Sequence, residues 1–235
     1  GVAGPAATYY VMATLTVVAL ILTSWVPTLP AVSSGKRRMW SDIKEGLVYT
    51  KHNRTVLVLL LVALSTALLA MPFRTLLPVQ IEEVFKLEVE ALGLLLSMIG
   101  VGALIGSLFI ASLSKNNHRG WVLLITSMLS GVAILLAAAT TSYTVAVGIM
   151  LLLGLGDSGR RALNSSLIME QTDDEHRGRV MGVYMMNFGL IPLGALPLGF
   201  ITASFDVRLA FAIAGGGLLA AAIGYTVFTD KVRRL

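Results

Sequence analysis

A chain of 235 residues that is 56% hydrophobic and only 13% charged, with a mean hydropathy of +0.81, is not a soluble domain, since those carry roughly 25% charged residues. The class is a polytopic membrane protein, and the net charge of +5 reads as basic loops on one membrane side rather than a nucleic-acid surface. Zero cysteines exclude disulfides and thiolate metal sites, and His52, His118 and His176 fall in predicted loops as solvated imidazoles.

Gly1 is not an initiating methionine, and no charged stretch precedes the first apolar run. No signal peptide is read, and the chain is expected to begin partway through a larger protein. Seven spans are predicted: Ala7–Val26, Val56–Val79, Ala91–Leu113, Trp121–Thr140, Tyr143–Ser165, Val180–Ala203 and Leu209–Phe228. Each approaches the roughly 20 apolar residues a tilted helix needs. The alternation a closed β-barrel requires is absent, so the expected fold class is all-α, a transmembrane helix bundle.

The first span ends at Trp25 and Pro27. A long polar connection follows, carrying Lys36, Arg37, Arg38, Lys44, Lys51 and Arg54. Within it Trp40, Ile43 and Leu47 share one helical face, with Asp42, Lys44 and Glu45 away from it. That pattern predicts a short helix on the inner leaflet. Its length marks a domain boundary, giving residues 1–30, a linker at 31–54, and a bundle at 55–235.

The second span contains AMPFRTLLPVQIEE. Pro72 frees the Leu68 carbonyl and Pro78 frees that of Arg74. Arg74 either snorkels outward, toward Glu82 or Glu83, or lines a cavity beside broken backbone. IEEVFKLEVE is predicted as an acidic loop. In the third span Gly102 and Gly106 form GxxxG; Gly148, Gly154 and Gly156 line the fifth, and Gly215–Gly217 with Gly224 the seventh. Small residues let backbones approach closely in lipid.

The fifth span holds LGLGDSGRRALNSS. Asp157, Arg160, Arg161 and Asn164 fall on one helical stripe. Ionisable groups at a span centre cost at least about 2.5–3.5 kcal/mol each, so these should face an interior or an aqueous cavity. Asp157 lies about 21 Å from Tyr143, past the midplane. The stripe is either an internal salt bridge with snorkelling arginines or part of a substrate or ion pathway.

Glu170, Asp173, Asp174, Glu175, Arg177 and Arg179 then form a dense charge cluster. It is either a solvated turn or an ion-pair latch. Arginines at a helix start oppose the helix dipole, so Arg177 and Arg179 need partners: lipid phosphates or carboxylates on another helix. In the sixth span Pro192 and Pro197 free the Phe188 and Leu193 carbonyls, with Asn187 one turn inward. A hinge or cavity wall is expected there, alongside the plain reading of helix packing. Basic residues concentrate in alternate loops. The positive-inside rule therefore assigns the 36–54, 115–119 and 170–179 loops and the C-terminus to the cytoplasm, and Gly1 to the outside.

No phosphate-binding loop, HExxH or GxSxG occurs. No paired carboxylates or Ser–His pair share one bilayer depth. Neither an enzyme nor a cofactor, metal or nucleic-acid partner is expected.

RGRVMGVYMMNFGLIPLGALPLG, preceded by an acidic turn, resembles the junction of spans ten and eleven of major facilitator superfamily transporters. The likeness is greatest to the drug/proton antiporter branch that includes enterobactin exporters and macrolide efflux proteins. LLPVQIEEVFKLEVEALGLLLSMIGVGALIGSLFIASL resembles spans seven and eight of that branch. The resemblance implies two six-helix halves around a midplane cavity, each built from inverted three-helix repeats. On that resemblance this chain would supply the C-terminal half plus the last helix of the other. After span eight the family carries an acidic residue and several arginines; here Lys115 stands where the acid would be, and Arg119 matches the basic side.

The resemblance implies a secondary transporter of the bacterial plasma (inner) membrane, exporting amphipathic small molecules such as drugs or siderophores by alternating access. Arg74, Asp157, Arg160, Arg161, Asn164 and Asn187 would line the pathway. Lys115, Arg119, Glu170, Asp173, Asp174, Arg177 and Arg179 would form the cytoplasmic gate. Membrane lipid, a small-molecule substrate, a proton as coupling ion and the missing N-terminal half are the implied partners. The alternative is a non-transporting membrane scaffold that retains the fold.

Overall fold

A computed structural model describes residues 5–25, 39–112 and 118–229, and among these every regular element is helical. The chain divides into two compact units, Gly1–Arg38 and Met39–Leu235. The first contains α1 (Pro5–Ser24), about 30 Å long at 1.5 Å per residue. Its hydroxyls are satisfied within the helix: Thr14, Thr16 and Thr23 donate to carbonyls four residues back, and Ser24 to Ile21. An apolar helix needs this where water is absent.

The second unit opens with α2 (Met39–His52) and turns into α3 (Arg54–Leu69) at Asn53. The Asn53 Oδ1 accepts from the backbone N–H groups of Thr55 and Val56, and its Nδ2 donates to the Gln171 carbonyl at 3.1 Å. One side chain thus caps a helix start and ties it to a remote turn. α3 breaks at Ala70, two residues before Pro72, and resumes as α4 (Met71–Gln80). A π-helical turn, Ile81–Phe85, extends α4 to Lys86, whose φ of 56° lies in the left-handed region. The second span therefore does not end at Val79. Ile81 is buried and Phe85 packs edge-on against Tyr143, while Glu82 and Glu83 stay exposed. Apolar anchoring on one side carries the helix past its two acids.

The remaining elements are α5 (Ala91–Ser112), α6 (Arg119–Ala139), α7 (Tyr143–Glu170), α8 (Arg177–Gly189), α9 (Ile191–Ser204) and α10 (Val207–Phe228). The α8–α9 break at Leu190 again precedes a proline, Pro192, by two residues. Among the described residues five stretches are long and apolar enough to cross a bilayer: Arg54–Phe85, Ala91–Ser112, Arg119–Ala139, Arg177–Ser204 and Val207–Val227. α7, although 28 residues long, is not among them, because Asp157, Arg160 and Arg161 interrupt its apolar run.

α5 packs on α7 and α10 on α6, with α7 also against α6. A β-carbon on Gly102 would collide with the Leu151 carbonyl, and one on Gly154 with the Ile99 carbonyl. These reciprocal glycines set the α5–α7 approach by van der Waals contact. Gly148 and Gly224 meet open space, so the close-packing reading fails at those two.

Buried apolar residues form two clusters. One centres on Phe73, Leu77, Ile134, Met150 and Phe211, the other on Val56, Leu59, Leu123, Leu163 and Tyr184. Along α7 the charged stripe falls between them. Two polar side chains close the α6 C-terminus: buried Gln80 donates to the Ala137 carbonyl, and Arg208 to those of Ala138 and Ala139. Carbonyls without partners at a helix end are satisfied this way.

Candidate functional site

Asp157 is the hub. Its Oδ1 accepts from Arg160. Its Oδ2 accepts from Arg161 Nη2 at 2.7 Å and from Arg74 Nη2 at 3.0 Å. Spacing of three and four residues brings the first two partners onto the stripe. The third arrives from α4. Arg74 does not turn toward Glu82 or Glu83: the break at Ala70 and the start of α4 carry its guanidinium onto α7 instead.

The three arginines differ in exposure. The side chain of Arg160 is 4% exposed and that of Asp157 10%, against 39% for Arg74 and 42% for Arg161. Arg160 and Asp157 form a buried pair, whereas Arg74 and Arg161 open onto a groove of 580 Å³. Leu96, Ile99 and Ala103 of α5 make its apolar wall, and Ser158 and Ser165 add hydroxyls.

Behind the cluster a second space of 20 Å³ has room for about one water. It is bounded by Arg160, Arg161, Tyr184, Asn187 and Phe188. Two of its lining residues carry a buried nitrogen with no protein partner, Arg160 at Nε and Asn187 at Nδ2. Asn164 is buried one turn beyond Arg160, with Oδ1 unpartnered, and borders neither space. Tyr184 and Ser158 were missed by sequence reasoning. The available signal for Tyr184 was its place one turn before Asn187 on α8.

At the α2 end, charge pairing is dense. Arg119 donates from Nη1 to both carboxylate oxygens of Glu170, at 2.7 and 2.8 Å, and from Nη2 to Ser166, tying α6 to the end of α7. Arg177 pairs with Asp174 at 2.5 Å and donates to the Met169 carbonyl. Arg179 binds Asp42 at 3.2 Å and Glu45 at 2.9 Å. Of the partners considered for the two arginines, carboxylates on another helix is the arrangement found for Arg179. Asp42 and Glu45 therefore belong to the docking face of α2, not to a free polar face. Gly46 and Thr50 are buried on that face, and Trp40 and Leu47 are left exposed.

Asp173 accepts from the Tyr49 hydroxyl, which in turn accepts from the Asp173 N–H. Tyr49 stacks on His176 at 4.5 Å, and His176 Nδ1 is buried. The solvated-imidazole reading thus fails at His176, which a partner ring covers; His52 ends α2 rather than lying in a loop. Lys115 and the basic residues of the C-terminal tail lie outside the described residues.

The sequence model of the Major Facilitator Superfamily matches residues 1–190 and 59–234. A Staphyloferrin A transporter of Staphylococcus aureus is 29% identical over 143 residues, which are 61% of this chain and 36% of that protein. The chain thus spans little more than a third of that relative's length. No solved structure matches. With an all-helical bundle, bilayer-length apolar stretches and family matches that together reach from residue 1 to residue 234, this membrane protein belongs to the Major Facilitator Superfamily of transporters.

Proposed function

We propose that the chain is part of a secondary active transporter that exports amphipathic small molecules, such as drugs or siderophores, by alternating access with proton coupling. In this reading residues 1–30 are the last helix of the N-terminal half, 31–54 the cytoplasmic linker and 55–235 the C-terminal half. The C-terminus is cytoplasmic, and the membrane is a bacterial plasma membrane. The matched relative, a Staphyloferrin A transporter, supports a small organic cargo.

The observation that carries the reading is the Arg74–Asp157–Arg161 cluster opening onto a groove. Charges inside a span mark substrate or ion pathways, and here broken helices lie beside them. Arg160 holds Asp157 from behind the groove, Asn187 borders the smaller space beside Arg160 and Arg161, and Asn164 touches neither space. Arg119–Glu170, Arg177–Asp174 and Arg179–Asp42/Glu45 make the cytoplasmic gate, with Asp173 holding Tyr49 of the linker helix.

The test is dye and macrolide accumulation in cells expressing the full-length protein, with membrane abundance matched. Lower accumulation than in empty cells, abolished by Arg161→Gln, supports the reading. Accumulation unchanged for every compound sinks it in favour of a scaffold.

A further inference from the structure

Three guanidiniums meet one carboxylate in the middle of α7, which leaves two positive charges in excess. The excess is not spread evenly. Arg160 and Asp157 neutralise each other in the core, and the two remaining cations, Arg74 and Arg161, are the half-exposed ones on the groove. Both lean on the same oxygen, Asp157 Oδ2, through one Nη2 each. A guanidinium has five N–H donors, so each arginine has capacity left for a second acceptor. Among the described residues, Asp157 is the only acid lining the groove. Two half-exposed cations that share one carboxylate oxygen leave the groove electropositive, and such a cleft attracts anions from outside.

We propose that this groove takes a polyanionic solute with at least two carboxylate groups, one on Arg74 and one on Arg161, and an apolar portion against Leu96, Ile99 and Ala103. The proposal rests on the transporter reading, whose pathway it specifies. Asp157 acts as a tethered acid that holds both arginines at the groove until ligand oxygens join it. The arginine fork matches a carboxylate in two-point geometry, which a lysine does not. An anionic lipid phosphate offers similar acceptor chemistry; we assign the site to the solute because the groove pairs its charges with serine hydroxyls and a short apolar wall.

The test uses the full-length protein in phosphatidylcholine nanodiscs and isothermal titration with citrate, with trimethyl citrate as the uncharged control. Citrate is expected to bind at least about tenfold more tightly than the ester, and less tightly as salt is raised. Arg74→Gln and Arg161→Gln should each weaken citrate about ten- to hundredfold, and Arg161→Lys by an intermediate factor. Because both arginines are half-exposed, these variants leave the buried pair in place; unchanged thermal unfolding verifies it. Absence of citrate binding, ester binding equal to citrate, or indifference to the substitutions overturns the proposal. So does a response confined to added phosphatidylglycerol. Transport of an uncharged dye by a protein indifferent to citrate overturns the anion site and spares the transporter. Citrate binding that follows the arginines, with no compound transported, spares the site and sinks the transporter.

Discussion

Arg74 on α4 donates to Asp157 on α7 at 3.0 Å, across 83 positions of the chain. The contact joins the helix that follows the Ala70 break to the helix that carries the charged stripe. It places the second span's only arginine beyond its first turn at the level of the stripe rather than at the acidic end of its own helix.

Asp157→Asn should destabilise the protein by about 3–5 kcal/mol, because it leaves buried Arg160 without its anion. Arg74→Gln should cost under about 1 kcal/mol, since that side chain is 39% exposed and exposed pairs contribute little. Thermal unfolding of the full-length protein in nanodiscs separates the two. Equal losses would mean that Arg160 does not depend on Asp157.

Gly154→Ala should cost about 1–3 kcal/mol, because the added methyl collides with the Ile99 carbonyl and forces α5 and α7 apart. Gly148→Ala, on the same helix but facing open space, should stabilise by up to about 1 kcal/mol through helix propensity. Thermal unfolding again gives the readout. A neutral Gly154→Ala would contradict the close approach described for these helices.

Arg179 is the clasp of α2. Asp42→Asn with Glu45→Gln removes both of its anions, and partly exposed pairs are worth about 0.2–1 kcal/mol each. Backbone hydrogen exchange over residues 39–52 should therefore speed up by about two- to thirtyfold, with exchange in α5 unchanged. Unaltered protection of α2 would assign its docking to Gly46, Tyr49 and Thr50 alone.

Arg119→Ala removes a two-oxygen grip on Glu170 and the bond to Ser166. A loss of about 1 kcal/mol is expected, smaller at high salt. Arg119→Lys should recover part of it, because a lysine has no planar fork. Full recovery by lysine would reduce the contact to a simple charge attraction.

Much of this protein was legible in the residues because the relevant signals are local. Apolar run length sets a bilayer helix, the period of 3.6 sets the Asp157–Arg160–Arg161 stripe, and each of Pro72 and Pro192 follows a helix break by two residues. The close approach of Gly102 was likewise readable from small-residue spacing. The end of the second span was not: the helix runs through Glu82 and Glu83 because Ile81 and Phe85 find apolar partners across the bundle.

Hydropathy and periodicity by themselves determined that the chain is a set of lipid-soluble helices with a few ions that must turn inward. Only the tertiary structure decided which ions meet. Arg74 reaching Asp157, Arg179 taking two carboxylates from α2, and Tyr49 covering His176 all join residues more than eighty positions apart. Such pairs depend on helix rotation and on the angle at a break, and these are set by the packing of neighbouring helices, to which no single segment has access.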